Sequence, residues 1–119
     1  MIKTKSIRDA VEPSDGKRIL VMGRWPRGYS KEKLRLDYWY TSLAPDEKLR
    51  KDWYAETIGW DKYVARYLKL MKSQRERIKE FAGMAKTGTI TLICIEDEGN
   101  PHCHRHLLKK LIEQAMQEA

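Results

Sequence analysis

Two cysteines in 119 residues are too few for a secreted disulfide framework, so reduced thiols are the expected state. A Cys94 to Cys103 bridge would be expected only in a hyperthermophile. No apolar run approaches the roughly 20 residues needed to span a bilayer, and the opening Met1-Ile2-Lys3-Thr4-Lys5 lacks the apolar stretch of a signal peptide. These absences predict a cytoplasmic protein without a membrane partner. The chain also has no linker, internal repeat or low-complexity stretch, so residues 1–119 are read as a single domain with one core. No Walker loop, dinucleotide fingerprint, zinc-finger pattern or hydrolase elbow is present, and no cofactor is expected.

What is present is aromatic and charged. Four Trp, six Tyr and a single Phe supply large surfaces for burial, and 34% of residues are charged. The net charge of +7 is uneven. Residues 1–88 hold 21 Lys/Arg against 12 Asp/Glu, a balance of +9, whereas residues 89–119 hold 3 against 5, a balance of −2. Such a potential favours anionic partners without separating RNA from a nucleotide or a phosphate.

The hydrophobic pattern predicts an α/β chain: a small three-layer domain with a short, mostly parallel sheet and flanking helices. Ile2 to Ile7 alternates as a strand, Pro13-Ser14-Asp15-Gly16 is a turn, and Arg18 to Met22 is an apolar strand of the central kind. Pro45 is expected to open a helix running to about Tyr54. Trp60, Tyr63, Val64, Tyr67, Leu68 and Met71 fall on one face of the next helix. With Ser73 as its cap, a further helix carries Ile78, Phe81, Ala82 and Ala85. Thr89 to Ile95 is a second buried strand, and Leu107, Leu108, Leu111, Ile112 and Ala115 mark the inner face of a last helix.

Chemistry is expected at the start of that last helix. Asn100-Pro101 reads as a cap followed by a first-turn proline, placing Cys103-His104-Arg105 in the opening turn. A helix amino end favours acids, yet this turn carries His102, His104, Arg105 and His106. A bound anion would resolve the conflict, and pairing with Glu96-Asp97-Glu98 is the competing account. Helix N–H groups and nearby cations would activate Cys103 as a nucleophile, with Glu96 as acid/base, while Cys94 suits a small buried hydrophobe. Adjacent residues rarely converge on one ion and no second ligand pair is evident, so no metal site is expected. If the strands before Arg24 and at Cys94 are parallel neighbours, Arg24, Trp25 and Arg27 join His104 and Arg105 as ligand-binding residues.

In order along the chain, Asp15-Gly16, Ile19-Leu20-Val21, Trp25-Pro26-Arg27-Gly28, Ser30-Lys31-Glu32, Leu43-Ala44-Pro45, Leu49-Arg50, Trp60 and Arg66-Tyr67 resemble the domain-of-unknown-function 488 family in its short YeaO-like branch. Cys94, Glu96 and Cys103-His104-Arg105 resemble instead the Cys-x-Glu and Cys-His-Arg ending of the longer branch. Where the short branch has Asp-Arg before its Trp-Pro-Arg-Gly loop, this chain has Met22-Gly23, with Arg24 displaced by one position. The resemblance implies a compact three-layer α/β fold with a pocket and no agreed substrate.

Three readings follow. The first is a pocket for a small anion such as phosphate or a nucleotide, with cysteine chemistry. The second is a non-catalytic nucleic-acid-binding module using the basic helical face of Arg66, Lys69, Arg75, Arg77 and Lys79. The third is an assembly role for a monomer or homodimer, with Tyr38-Trp39-Tyr40 as the interface.

Overall fold

The computed structural model describes residues 1–118. Its centre is strand β4 (Ile90–Cys94), whose apolar and β-branched residues are all buried because both faces of the strand are covered. Strand β1 (Ile2–Ser6) runs parallel on one side of β4, from Ile2 opposite Ile90 to Ser6 opposite Cys94. Strand β2 (Lys17–Leu20) runs parallel on the other, from Lys17 opposite Ile90 to Leu20 opposite Ile93. The short β3 (Tyr38–Trp39) pairs with β2 and gives the order β1-β4-β2-β3. Every pairing is parallel, so the carboxyl ends of all four strands share one edge.

Helices α1 (Lys31–Leu34), α2 (Glu47–Tyr54), α3 (Trp60–Met71), α4 (Arg75–Thr87) and α5 (His104–Glu118) complete the α/β fold. The layers are unequal. Tyr63, Tyr67, Phe81, Ala82, Leu108 and Ile112 from α3, α4 and α5 pack with Ile19, Ile90 and Leu92 in the main core. The opposite face is covered thinly, by Leu34 of α1 and by Trp25, Tyr29 and Leu36 around Leu20 and Ile93.

Entry into β2 depends on a buried charge cluster. Asp15, wholly buried, accepts from Lys3 (2.9 Å), Lys5 (2.9 Å), Arg18 (2.6 Å) and the Glu12 backbone N–H (3.1 Å). Burial opposes ionisation, but the hydrogen bonds from these cations win and hold the carboxyl well below the usual aspartate range. The next residue, Gly16, has φ +62°, and a Cβ there would lie 2.0 Å from the Thr89 carbonyl oxygen. Only glycine fits this approach of the β2 entry to the β4 entry.

Several boundaries differ from the sequence pattern. Helix α2 starts one residue after Asp46, whose carboxylate caps the Leu49 N–H at 2.8 Å, so Pro45 precedes the cap. Ser73 lies in a 3₁₀ turn, Lys72–Gln74, and leaves the cap position of α4 to Gln74. Strand β2 ends at Leu20, although the Val21 N–H still donates to Ile93 at 3.0 Å. Most consequential, α5 begins at His104 and not near Pro101, because Asn100 Oδ1 accepts from the His102 N–H (2.9 Å) and closes a local turn. Cys103 therefore precedes the helix.

Candidate functional site

The parallel strands β2 and β4 deliver their loops to one edge, and there a pocket of about 650 Å³ opens. Met22 to Arg27 form one wall. Thr41 and one face of α2, from Glu47 to Tyr54, form a second, and Cys94 to Glu96 with His102 to His104 form the third. Six of the seven side chains singled out from the sequence line this pocket: Arg24, Trp25, Arg27, Glu96, Cys103 and His104. The seventh, Arg105, does not.

Cys94 closes the β4 strand and Cys103 immediately precedes α5, so an eight-residue excursion brings the second sulfur back to the first. Both residues are nearly buried, at 4% and 3% exposure, yet both line the pocket. Their Sγ atoms and a ring nitrogen of His104 lie within 4.8 Å of one another. His104 Nε2 sits 2.5 Å from the Val21 carbonyl oxygen. A carbonyl only accepts, so Nε2 carries the hydrogen; Nδ1, 3.9 Å from Cys103 Sγ, faces the sulfurs. These three donors are the residues able to hold a thiophilic cation, with Cys94 supplying the ligand from a separate element that the sequence did not reveal. No fourth His, Cys, Asp or Glu joins them among the described residues.

The two thiols do not titrate alike. A hydrogen bond from the Cys103 thiol, with help from the His104 ring, the Glu96 backbone N–H and Arg105, pulls Cys94 well below the ordinary thiol range despite its burial. Cys103 moves the other way, because that hydrogen bond to Cys94 and its own burial favour keeping the proton. These directions favour Cys94 over Cys103, the thiol expected from the sequence, as the one that gives up its proton.

Arg105, expected among the ligand-binding residues, is turned into the fold and does not line the pocket. It is 0% exposed, and its guanidinium donates to backbone carbonyls of Lys5 (3.0 Å), Glu96 (2.7 Å) and Asp97 (2.6 Å), with a longer contact to Cys94 (3.5 Å). Glu98 adds an ion pair at 3.5 Å. These partners join the ends of β1 and β4 and the following loop to α5, so Arg105 is a clamp within the fold; its Nε–H is buried without a partner among the described residues, and the residue does not line the pocket. The acidic triplet divides accordingly. Glu98 serves Arg105 and Thr4, Asp97 pairs with Arg8 at 2.7 Å, and neither contacts a histidine. Only Glu96 reaches the pocket, where Oε1 accepts from the Tyr54 hydroxyl at 2.6 Å and Oε2 from Asn100 at 3.2 Å.

The rim is cationic in part. Arg24 meets Glu47 at 2.8 Å, both exposed. Arg27 and Arg50 have no acidic partner among the described residues. Trp25 Nε1 donates to the Tyr29 carbonyl (2.7 Å) and the ring meets Trp39 edge-on, which fixes the loop. Trp53 and Tyr63 supply an aromatic side, and His102 stacks on Trp60 at 4.6 Å beside them. Sequence reasoning missed Arg50, Tyr54 and the role of Cys94. The pairing of Cys-x-Glu with Cys-His-Arg was the signal for the last of these, and the Leu49-Arg50 pair of the family resemblance was the signal for the first; nothing local announced Tyr54.

The family described as the active DUF488-N3 subclade matches residues 2–116. An uncharacterized protein of Escherichia coli K12, YeaO, is 36% identical over 92 residues, covering 77% of this chain and 80% of that protein. The uncharacterized proteins Mb3100c of Mycobacterium bovis and Rv3073c of Mycobacterium tuberculosis are each 26% identical over 90 residues, covering 76% of this chain and 70% of theirs. No solved structure matches.

Proposed function

The chain belongs to the domain-of-unknown-function 488 family, in its active N3 subclade, and from that premise we propose that it is a cysteine-dependent enzyme acting on a small anionic, phosphorylated ligand. One observation carries the reading: two thiols held against each other line the same cleft as two arginines that have no acidic partner among the described residues. Arg27 and Arg50 hold the anionic group, and the Trp53 and Tyr63 side chains exclude water beside it. Cys94 Sγ is the nucleophile. Cys103 donates the hydrogen bond that keeps it ionised, and His104, fixed by Val21, holds both sulfurs in place. Glu96, oriented by Tyr54 and Asn100, is the acid/base at the pocket wall.

Inorganic phosphate tests the binding half. At about ten times its dissociation constant it should add roughly 1.4 kcal/mol of stability, or about 5 °C in Tm for a chain of this length. The Arg27→Ala, Arg50→Ala double variant should lose that response while keeping its own fold. A wild-type Tm that does not move in saturating phosphate or with a nucleoside monophosphate overturns the ligand class.

The nucleic-acid reading gains no comparable support. Of the basic helical face, Arg66 pairs with Asp52 (2.7 Å), Arg77 with Glu80 (2.8 Å) and Lys79 with Glu76 (3.9 Å).

A further inference from the structure

The thiol pair has a property that nucleophilic attack on an anion does not require. A single cysteine would suffice for that step, yet a second thiol is held against the first from a different part of the chain, the two Sγ atoms lying within 4.8 Å. We infer that Cys94 and Cys103 are a redox couple, closing to a reversible disulfide when Cys94 is oxidised by a small hydroperoxide. The inference rests on Cys94 being the reactive thiol of the proposed function, but not on which ligand the pocket binds.

The geometry selects the oxidant by size. Both sulfurs lie at the pocket floor with only a few per cent of their residues exposed. Hydrogen peroxide and small alkyl hydroperoxides, uncharged and little larger than water, reach such a position, whereas a bulky disulfide oxidant must align three sulfurs in a line and has no room behind Cys94, which is the last residue of a buried strand. In the first step the Cys94 thiolate attacks the distal peroxide oxygen and the O–O bond breaks. The departing alkoxide or hydroxide takes a proton from water, and Cys94 is left as a sulfenic acid. In the second, Cys103 attacks the Cys94 sulfur and hydroxide leaves. The Cys103 proton passes to that hydroxide, with His104 Nδ1, 3.9 Å from Cys103 Sγ, standing on its route. Water and the Cys94–Cys103 disulfide are the products. A small-molecule dithiol restores both thiols by exchange, supplying the two electrons.

The arrangement serves the proposed nucleophile directly. A lone thiolate at this site would proceed to sulfinic acid, which thiols do not reverse; the neighbour intercepts the sulfenic stage. The bond would also tie the β4 end to the residue before α5 and remove the nucleophile from the pocket, so the oxidised protein is inactive until reduced.

The experiment uses the full chain, reduced and freed of metal with a chelator, exposed to a few equivalents of hydrogen peroxide and read by intact mass and peptide mapping. Wild type should lose two hydrogens, lose both thiols to alkylation and yield a linked Cys94–Cys103 peptide; dithiothreitol should restore the starting mass. Cys103→Ser should instead be trapped by dimedone at Cys94 and, without the trap, gain two oxygens irreversibly. Cys94→Ser should gain neither oxygen nor label at Cys103 on the same timescale. Wild type that accumulates sulfinic acid without the linked peptide overturns the inference, as does oxidation that begins at Cys103. The phosphate response of the reduced protein is read in parallel. A disulfide that forms in a protein blind to phosphate refutes the ligand reading alone, and phosphate binding without a disulfide refutes this inference alone.

Discussion

Replacing Arg105 with methionine separates a clamp from a ligand, because the two roles predict opposite readouts. The methionine fills most of the space of the arginine stem and removes the guanidinium. The Cys94 carbonyl would keep its hydrogen bond from Ile7 (2.9 Å) and the Asp97 carbonyl its bond from Asn100 (3.0 Å), but the Glu96 carbonyl would lose a charged donor at 2.7 Å and Glu98 its cation. A buried acceptor left bare costs about 1–3 kcal/mol, and removal of one side of a buried charged network about 3–5 kcal/mol. The wholly buried position of Arg105 puts the expected loss near 4 kcal/mol, against a total of roughly 6–18 kcal/mol for a chain this long. Urea unfolding should show the midpoint falling by about 2 M at an unchanged slope near 2 kcal/mol/M, and Tm falling by about 15 °C. Arg105→Lys should fare little better, since one ammonium cannot serve carbonyls on three segments. An Arg105→Met protein with the wild-type midpoint and no phosphate response would refute the reasoning, because the guanidinium would then be spent on the anion.

Two further substitutions test the fold beneath the site. Asp15 is held ionised below the usual aspartate range, so its contribution to stability is complete above about pH 4 and is lost as pH falls below that value. Wild-type Tm should therefore drop steeply under acid, whereas Asp15→Asn should start several kcal/mol lower and show a flatter acid limb; parallel limbs would place the acid sensitivity elsewhere. Gly16→Ala combines a left-handed backbone with a methyl set 2.0 Å from the Thr89 carbonyl, and should cost about 3 kcal/mol by urea titration. A change under about 0.5 kcal/mol would mean that the β2 entry is free to move.

Local patterns carried the architecture. The spacing of Trp60, Tyr63, Tyr67 and Met71 marks α3, whose observed bounds are Trp60–Met71, because an amphipathic period of 3.6 is set by neighbours along the chain. The buried runs around Ile19 and Ile93 are likewise the two interior strands, and their parallel pairing places Arg24, Trp25 and Arg27 beside Cys103 and His104 at one edge. What could not be read was what each polar group would meet. Arg105 looked like a free cation because its partners are backbone carbonyls from the ends of β1 and β4 and the loop between β4 and α5, and main-chain oxygens leave no mark in a sequence. Cys94, inside an apolar strand, resembled a packing residue until the fold returned Cys103 to its side. Tyr54 and Glu96, 42 residues apart, met for the same reason. Of the cations expected at an anion site, Arg105 is turned into the fold, and the proposal rests instead on Arg27 and Arg50 from the two other walls of the pocket.

The account stands on Cys94 carrying the charge of the thiol pair, and alkylation mapped by residue measures this most directly. With iodoacetamide in the absence of metal, Cys94 should label first, at a rate that changes less than about threefold between pH 6 and pH 8, where an ordinary thiol would change by roughly seventyfold. Cys103→Ala should steepen that profile by removing the hydrogen bond that lowers the Cys94 proton affinity. A Cys94 that titrates as an ordinary thiol, or a Cys103 that labels before it, would contradict the central claim.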